Sequence, residues 1–325
     1  MLRFSRFAWI FMALALAVIS APAAVDAEEK PLKIVTTIFP EYDWVMNVLG
    51  ERAGDAEVTW LMQSGVDLHS FNPSVEDIVT ITDCDLFLYV GGESDFWVED
   101  VLSQAPNGNL RAVSLLDILA DQVREEETVE GMQDAGEDAP GEEPEIDEHV
   151  WMSLENAGII CRSIADVLGE MDEEHAEEYS SSAEEYIAKL DGLDDQYHEA
   201  LNAAPNRTLV FGDRFPFRYL FDDYGLSYYA AFSGCSAESE ASFETIIFLA
   251  EKVDELGLDN ILKMEGDNKK ICETVIECTE TKDQEILTLD SMQSVKREDY
   301  ENGITYTSIM EENLEVLKRA AGVSG

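Results

Sequence analysis

Residues 33–50 read KIVTTIFPEYDWVMNVLG. A β-rich run is broken at Pro40, and Trp44, Val45, Val48 and Leu49 then recur at helical spacing, so the stretch predicts a strand feeding a helix. The rhythm repeats at once. AEVTWLMQSG (56–65) reads as a short apolar strand, SVEDIVTITDC (74–84) as a helix, and DLFLYVGG (85–92) as a buried strand ending at paired glycines. Strands that alternate with helices imply βαβ units and a parallel sheet.

Working outward, residues 154–170 form an apolar-periodic helix. Residues 173–203 form a longer one, with Tyr179, Tyr186, Ile187, Leu190, Leu193 and Tyr197 on one side and Pro205 closing it. The βα rhythm then restarts: RTLVFGD, LSYYAAF, DNILKMEG and DQEILTLDS are strands, and FRYLFDDYG, SFETIIFLAEKVDELG and TSIMEENLEVLKRAAG are helices. The predicted fold class is α/β, with two lobes that each carry a mostly parallel sheet flanked by helices, joined by a long connecting helix. The expected boundaries are 28–172 for the first lobe, 173–204 for the helix and 205–325 for the second lobe. A chain of 325 residues is long enough for two lobes with cores.

The segment 121–148, DQVREEETVEGMQDAGEDAPGEEPEIDE, has few large apolar residues and many carboxylates, and it predicts a mobile surface loop in the first lobe. The first residues, with Arg3 and Arg6 before an apolar run from Phe7 to Ile19 and small residues ending at Ala27, read as a secretory signal spanning 1–27. An exported protein, periplasmic or at the cell surface, is expected, with an uncleaved N-terminal anchor as the alternative. Net charge is −48, from 69 acidic against 21 basic residues, which excludes a phosphate backbone as a natural partner and concentrates cations near the surface. Five cysteines without CxxC spacing give neither a zinc knuckle nor a thioredoxin-type site. Export permits a disulfide without naming a pair, and Cys84 and Cys161, in apolar patterns, read as buried thiols.

Open parallel sheets bind ligands beyond the carboxyl ends of their strands, so polar residues in the loops there are the candidates. They are His69 in GVDLHSFNPS, His149 in DEHVWMS, Asp213 in LVFGDRFPF and Asp290 in EILTLDSMQ. Two imidazoles and two carboxylates arriving from four loops suffice to hold a divalent transition metal. His175 and His198 lie on polar helical stretches and read as solvated.

VDLHSFNPSVEDI and DEHVWMSLENA resemble the two histidine motifs of the metal-specific solute-binding proteins of ABC importers, the zinc and manganese group. DLFLYVGGESDFWVED resembles that family's strand leading to a glycine and an acidic–aromatic segment. YSSSAEEYIAKLDGLDDQYHEAL resembles its domain-connecting helix, and YTSIMEENLEVLKRAAG its closing helix, so the likeness spans nearly all of the mature chain. The resemblance implies a metal held between the lobes by His69 and His149 from the first and by two ligands from the second. Asp290 matches the fourth position. The third falls on Arg214, whose guanidinium has no lone pair, and a one-residue shift brings in Asp213, with Glu265 in ILKMEGD in reserve. The implied cargo is Zn2+, with Mn2+ as the alternative, and the implied partner is the permease of an ABC metal importer, with the receptor a monomer. The resemblance further implies small lobe tilts on release. Glu41 is expected to orient a histidine and Trp151 to pack beside one.

Rival classes are a zinc-dependent hydrolase and an acidic extracellular protein that binds cations or takes part in adhesion. The hydrolase reading lacks HExxH, GxSxG and a general base beside the histidines. The adhesion reading requires binding that is indifferent to both histidines.

Overall fold

The computed structural model describes residues 30–133, 145–236 and 240–323. The expected signal segment and the centre of the acidic loop lie outside the described residues. The first half runs β1 (Leu32–Thr36), α1 (Phe39–Leu49), β2 (Ala56–Trp60), α2 (Val75–Asp83), β3 (Leu86–Tyr89), α3 (Trp97–Ser103), β4 (Arg111–Ser114) and α4 (Leu115–Leu119). Two long helices follow, α5 (Leu154–Met171) and α6 (Ala176–Asn202). The second half is β5 (Thr208–Phe215), α7 (Arg218–Asp223), β6 (Ser227–Ser233), α8 (Phe243–Leu256), β7 (Asn260–Met264), α9 (Lys270–Cys278), β8 (Glu285–Leu289), α10 (Arg297–Glu301) and α11 (Tyr306–Ala320).

Each half builds a four-stranded parallel sheet, in the orders β2-β1-β3-β4 and β6-β5-β7-β8. The two orders are the same, so β2 and β6 are equivalent edge strands. Hydrophobic β1 is flanked on both sides, with Ile34 opposite Val58 and Leu86, as an apolar run without alternation requires. Helix starts follow side-chain capping: Ser74 accepts from the Asp77 amide at 3.2 Å and Ser153 from the Asn156 amide at 3.1 Å.

The two sheets share one core. A single cluster of buried apolar side chains runs from Ile34 and Leu88 in the first sheet, through α1, α5, α6 and α11, to Phe211 and Leu289 in the second. Two smaller clusters cover the outer faces under α2–α3 and α8–α9. Helix α6 is central because its stripe Tyr179, Ala183, Tyr186, Ile187, Leu190, Leu193, Tyr197 and Leu201 is buried at helical spacing. Its tyrosines tie both halves: Tyr186 donates to Asp43 Oδ2 at 3.1 Å and Tyr197 to the Met310 carbonyl at 2.5 Å. The seam carries further cross-links. Arg297 donates to Tyr42 Oη at 2.8 Å with its guanidinium 4.7 Å from that ring's centre, and Trp151 donates to the Ser291 carbonyl at 2.9 Å.

The acidic segment departs from the expected mobile loop where it is described. Glu126 and Asp147 form a short antiparallel pairing with Glu145 and Arg124, at 2.7 and 2.9 Å, around the Glu125–Ile146 bridge. Its outgoing arm lies on the second sheet, where the Arg124 amide donates to Tyr219 Oη at 3.0 Å and the Gln133 amide to the Ala231 carbonyl of edge strand β6 at 3.0 Å. Carboxylates predict solvation, but backbone amides find partners regardless of side-chain charge. No helix among the described residues is long and apolar enough to cross a membrane.

One core implies one cooperative unit. Urea unfolding followed by tryptophan fluorescence and by far-UV circular dichroism should give coincident single transitions, and Leu190→Ala should cost about 2–5 kcal/mol. Two separated transitions would contradict a shared core.

Candidate metal site

The loop after β2 turns at Asp67, whose Oδ1 accepts from the His69 amide at 3.0 Å and fixes a single 3-10 turn over Leu68–Ser70. His149 closes the returning arm of the acidic segment and begins the turn Val150–Met152. It is 0% exposed. The two imidazoles meet edge to face, with Nε2 of His69 and Nε2 of His149 at 3.2 Å.

The outer ring nitrogens are each held. His149 Nδ1 lies 2.8 Å from Asp147 Oδ1, which as a carboxylate only accepts, so Nδ1 carries the proton and Nε2 presents a lone pair. His69 Nε2 faces that lone pair, and His69 Nδ1 pairs with Ser94 Oγ at 2.8 Å. Glu148 stands behind. Its Oε1 accepts from the Ser94 amide at 2.8 Å, while its Oε2 is buried without a hydrogen-bond partner, 3.6 Å from His69 Nδ1. With the His69 proton on Nδ1, Ser94 Oγ and Glu148 Oε2 stand beside it as acceptors, and both Nε2 atoms offer lone pairs to one ion.

The separation suits that ion. Zn–N bonds of about 2.0–2.1 Å at tetrahedral angles put two nitrogen ligands about 3.3 Å apart. Burial, followed by the neighbouring His149, holds the His69 pKa below the usual imidazole range, which keeps the ring neutral and ready to ligate. Burial pushes the Glu148 carboxyl up, partly offset by its hydrogen bonds from Ser94. Glycines make room for this packing. A Cβ on Gly92, at φ +78°, would stand 2.3 Å from Glu148 Oε1, and one on Gly234 would stand 3.0 Å from His149 Cε1.

A cleft of about 360 Å³ opens onto His69, lined also by Glu93, Phe96, Glu126, Glu148 and Cys235. Cys235 follows β6, as His69 follows the equivalent edge strand β2. Its Sγ lies within 4.8 Å of a ring nitrogen of each histidine.

A family model described as zinc-uptake complex component A, periplasmic (ZnuA), matches residues 34–320. The chain belongs to the ZnuA family. The zinc-binding lipoprotein AdcA of Streptococcus pneumoniae is 31% identical over 297 residues, which cover 90% of this chain and 56% of that protein. The high-affinity zinc uptake system protein ZnuA of Bacillus subtilis is 26% identical over 302 residues, 92% of this chain and 90% of that one. The crystal structure of the Zn(II)-bound ZnuA-like domain of S. pneumoniae AdcA superposes with a TM-score of 0.69 at 28% identity, covering 90% of this chain and 99% of that one. The chain thus spans little more than half the length of its AdcA relatives.

Within this ZnuA-family site the other expected residues have separate partners. Arg214 reaches across to the first lobe and donates to Asp67 Oδ2 at 2.6 Å. Burial raises the Asp67 carboxyl, but the charge and hydrogen bond of Arg214 outweigh it and the net shift is downward. A register irregularity in β5 between Phe211 and Arg214 leaves Asp213 beside β7, its oxygens accepting from the Arg214 amide at 2.9 Å and the Met264 amide at 3.2 Å. Glu265 accepts from the Ser291 amide and hydroxyl, both at 2.8 Å, and from the Gln293 amide at 3.2 Å, so it braces the loop after β8. In that loop Asp290 accepts from the Met292 amide at 2.7 Å, and burial with nearby Glu265 raises its pKa. Asp213, Glu265 and Asp290 do not join the compact cluster of His69, His149 and Cys235.

Glu41 also sits elsewhere than expected. Its Oε2 accepts from the Thr37 amide and hydroxyl and the Ile38 amide, at 2.7, 3.0 and 3.3 Å, capping α1, and the acceptor beside His149 is Asp147. Trp151 packs 5.1 Å from His149. His175 starts α6 beside Glu178, His198 neighbours Asp194, and all five cysteines are unpaired. Sequence reasoning passed over Asp147 and Cys235. The i, i+2 placement of Asp147 before His149 was a usable signal, whereas Cys235 lies after a strand in FSGCS with nothing local to distinguish it.

Full burial pushes the Glu41 carboxyl up to about 8, partly countered by its Thr37 bonds. An unfolded glutamate titrates near about 4.3. Between these values the folded state holds the extra proton, so this group's contribution to stability falls as pH rises. Denaturation midpoints at pH 5 and 8 should therefore differ less in Glu41→Gln than in the parent protein, and an equal difference would refute the assignment.

Proposed function

We propose that this chain is an extracytoplasmic receptor that captures Zn2+ at His69 and His149 and delivers it to the permease of an ABC-type importer. The observation that carries the reading is the imidazole pair, His149 fully buried and His69 half-buried beside it. Its Nε2 atoms are 3.2 Å apart, its outer nitrogens are buttressed by Asp147 and Ser94, and a buried acceptor on Glu148 waits beside His69. Two imidazoles that face each other through Nε2, their outer nitrogens already held, suit a divalent ion that uses both lone pairs at once. Family membership and the zinc named for AdcA and for the B. subtilis relative support the cargo.

The acidic cleft suits capture rather than retention. Glu93 and Glu126 line its wall and attract cations, while the neutral nitrogens at its base set the affinity. Asp213 and Asp290, tied to backbone amides, are assigned a supporting electrostatic part. Nitrogen donors favour zinc over manganese at comparable geometry. The shared core and the Arg214–Asp67 and Arg297–Tyr42 links keep lobe movement small, so release requires local loop movement.

In competition with a chelator of known affinity, the mature protein should bind one zinc per chain more tightly than manganese. His69→Ala and His149→Ala should abolish tight binding. Asp147→Asn should weaken it by about 10–100-fold, because the carboxylate orients the ligating ring. Binding indifferent to either histidine would refute the receptor reading.

A further inference from the structure

We infer that Cys235 Sγ is the third protein donor to the captured metal, making the site a His–His–thiolate centre. The inference rests on the receptor reading and deepens it. Of the acidic, histidine and cysteine side chains described, only Cys235 forms a compact ligand group with His69 and His149, all three donor atoms lying within 4.8 Å of one another. A tetrahedral zinc with Zn–S of about 2.3 Å and Zn–N of about 2.05 Å needs a sulfur–nitrogen separation of about 3.6 Å. The shortfall is then at most about 1.2 Å, within reach of a side-chain adjustment.

The turn bearing Cys235 is held for this purpose from three sides. The Cys235 amide donates to Glu126 Oε1 at 2.9 Å, which ties it to the first-lobe arm over the cleft. Arg214 Nη1 donates to the Ser236 carbonyl at 3.3 Å while its other nitrogen holds Asp67, two residues before His69. Gly234 lets the turn lie against the His149 ring, where any Cβ would stand 3.0 Å from both His149 Cε1 and the Phe215 carbonyl. Arg214 is thus a positioning residue that joins the histidine loop to the cysteine turn. The second-lobe carboxylates already serve backbone amides, and Cys235 has no disulfide partner.

Binding replaces the Sγ–H bond with Sγ–Zn, and the proton leaves to solvent through the cleft. A soft thiolate favours zinc over the harder manganese ion.

The test uses the full mature chain with cobalt(II) as a spectroscopic probe. One equivalent should produce the near-ultraviolet charge-transfer band of a thiolate–cobalt bond in the parent protein and in Cys278→Ser. The band should vanish in Cys235→Ser and Cys235→Ala. Without any substitution, X-ray absorption of the zinc-loaded parent protein should show one sulfur neighbour at about 2.3 Å from the metal. Tight one-to-one binding without the band, or without a sulfur neighbour at the zinc, would overturn the thiolate and leave the histidine receptor standing. Failure of the parent protein to bind zinc or cobalt would overturn both.

Discussion

The buried stripe of α6 is the constraint on which the rest of the structure depends. Two parallel sheets of equal strand order do not by themselves fix a shared site, because each has its own outer-face cluster and covering helices. The long helix supplies a face that neither sheet can cover alone. With Tyr186 bonded toward Asp43 and Tyr197 toward Met310, both halves close on it and on each other. The strand ends of both sheets then open onto one crevice, and loops far apart in sequence are held within ångströms.

That framework lets so acidic a chain set two imidazoles among buried carboxylates. Dozens of carboxylates stay at the surface, but Glu41, Asp95, Asp147 and Glu148 are buried near the crevice. Each costs desolvation, and each is placed where backbone amides, hydroxyls or an imidazole recover part of that cost. Burial raises Asp95 to about 7 despite its bond from the Gly91 amide. The outcome is a layered arrangement, with carboxylates at the mouth of the cleft and imidazoles within.

Arg214 shows how one residue can change a site without ligating. It sits where the resemblance placed a donor, and its guanidinium instead spans the two lobes by holding Asp67 and the Ser236 carbonyl. It therefore ties the histidine loop of the first lobe to the turn after β6 in the second. The β5 irregularity that aims it across the crevice also turns Asp213 toward Met264.

The sequence by itself determined the element types, the restart of the βα rhythm after the long helix, and the two histidine loops. Each is encoded locally, by hydrophobic period, by a break such as Pro40, or by a cap such as Ser74. The family was legible too, because ordered motifs such as VDLHSFNPS and DEHVWMS occur at intervals along the chain. Only the tertiary structure decided which second-lobe side chain approaches the histidines. That choice depends on a one-residue register irregularity in β5 and on which carboxylates are taken by amides, and neither leaves a trace in spacing. It also decided that the arms of the acidic segment are anchored, since their partners Tyr219, Ala231 and Cys235 lie about 80 or more residues away in the chain and are brought near by the core alone.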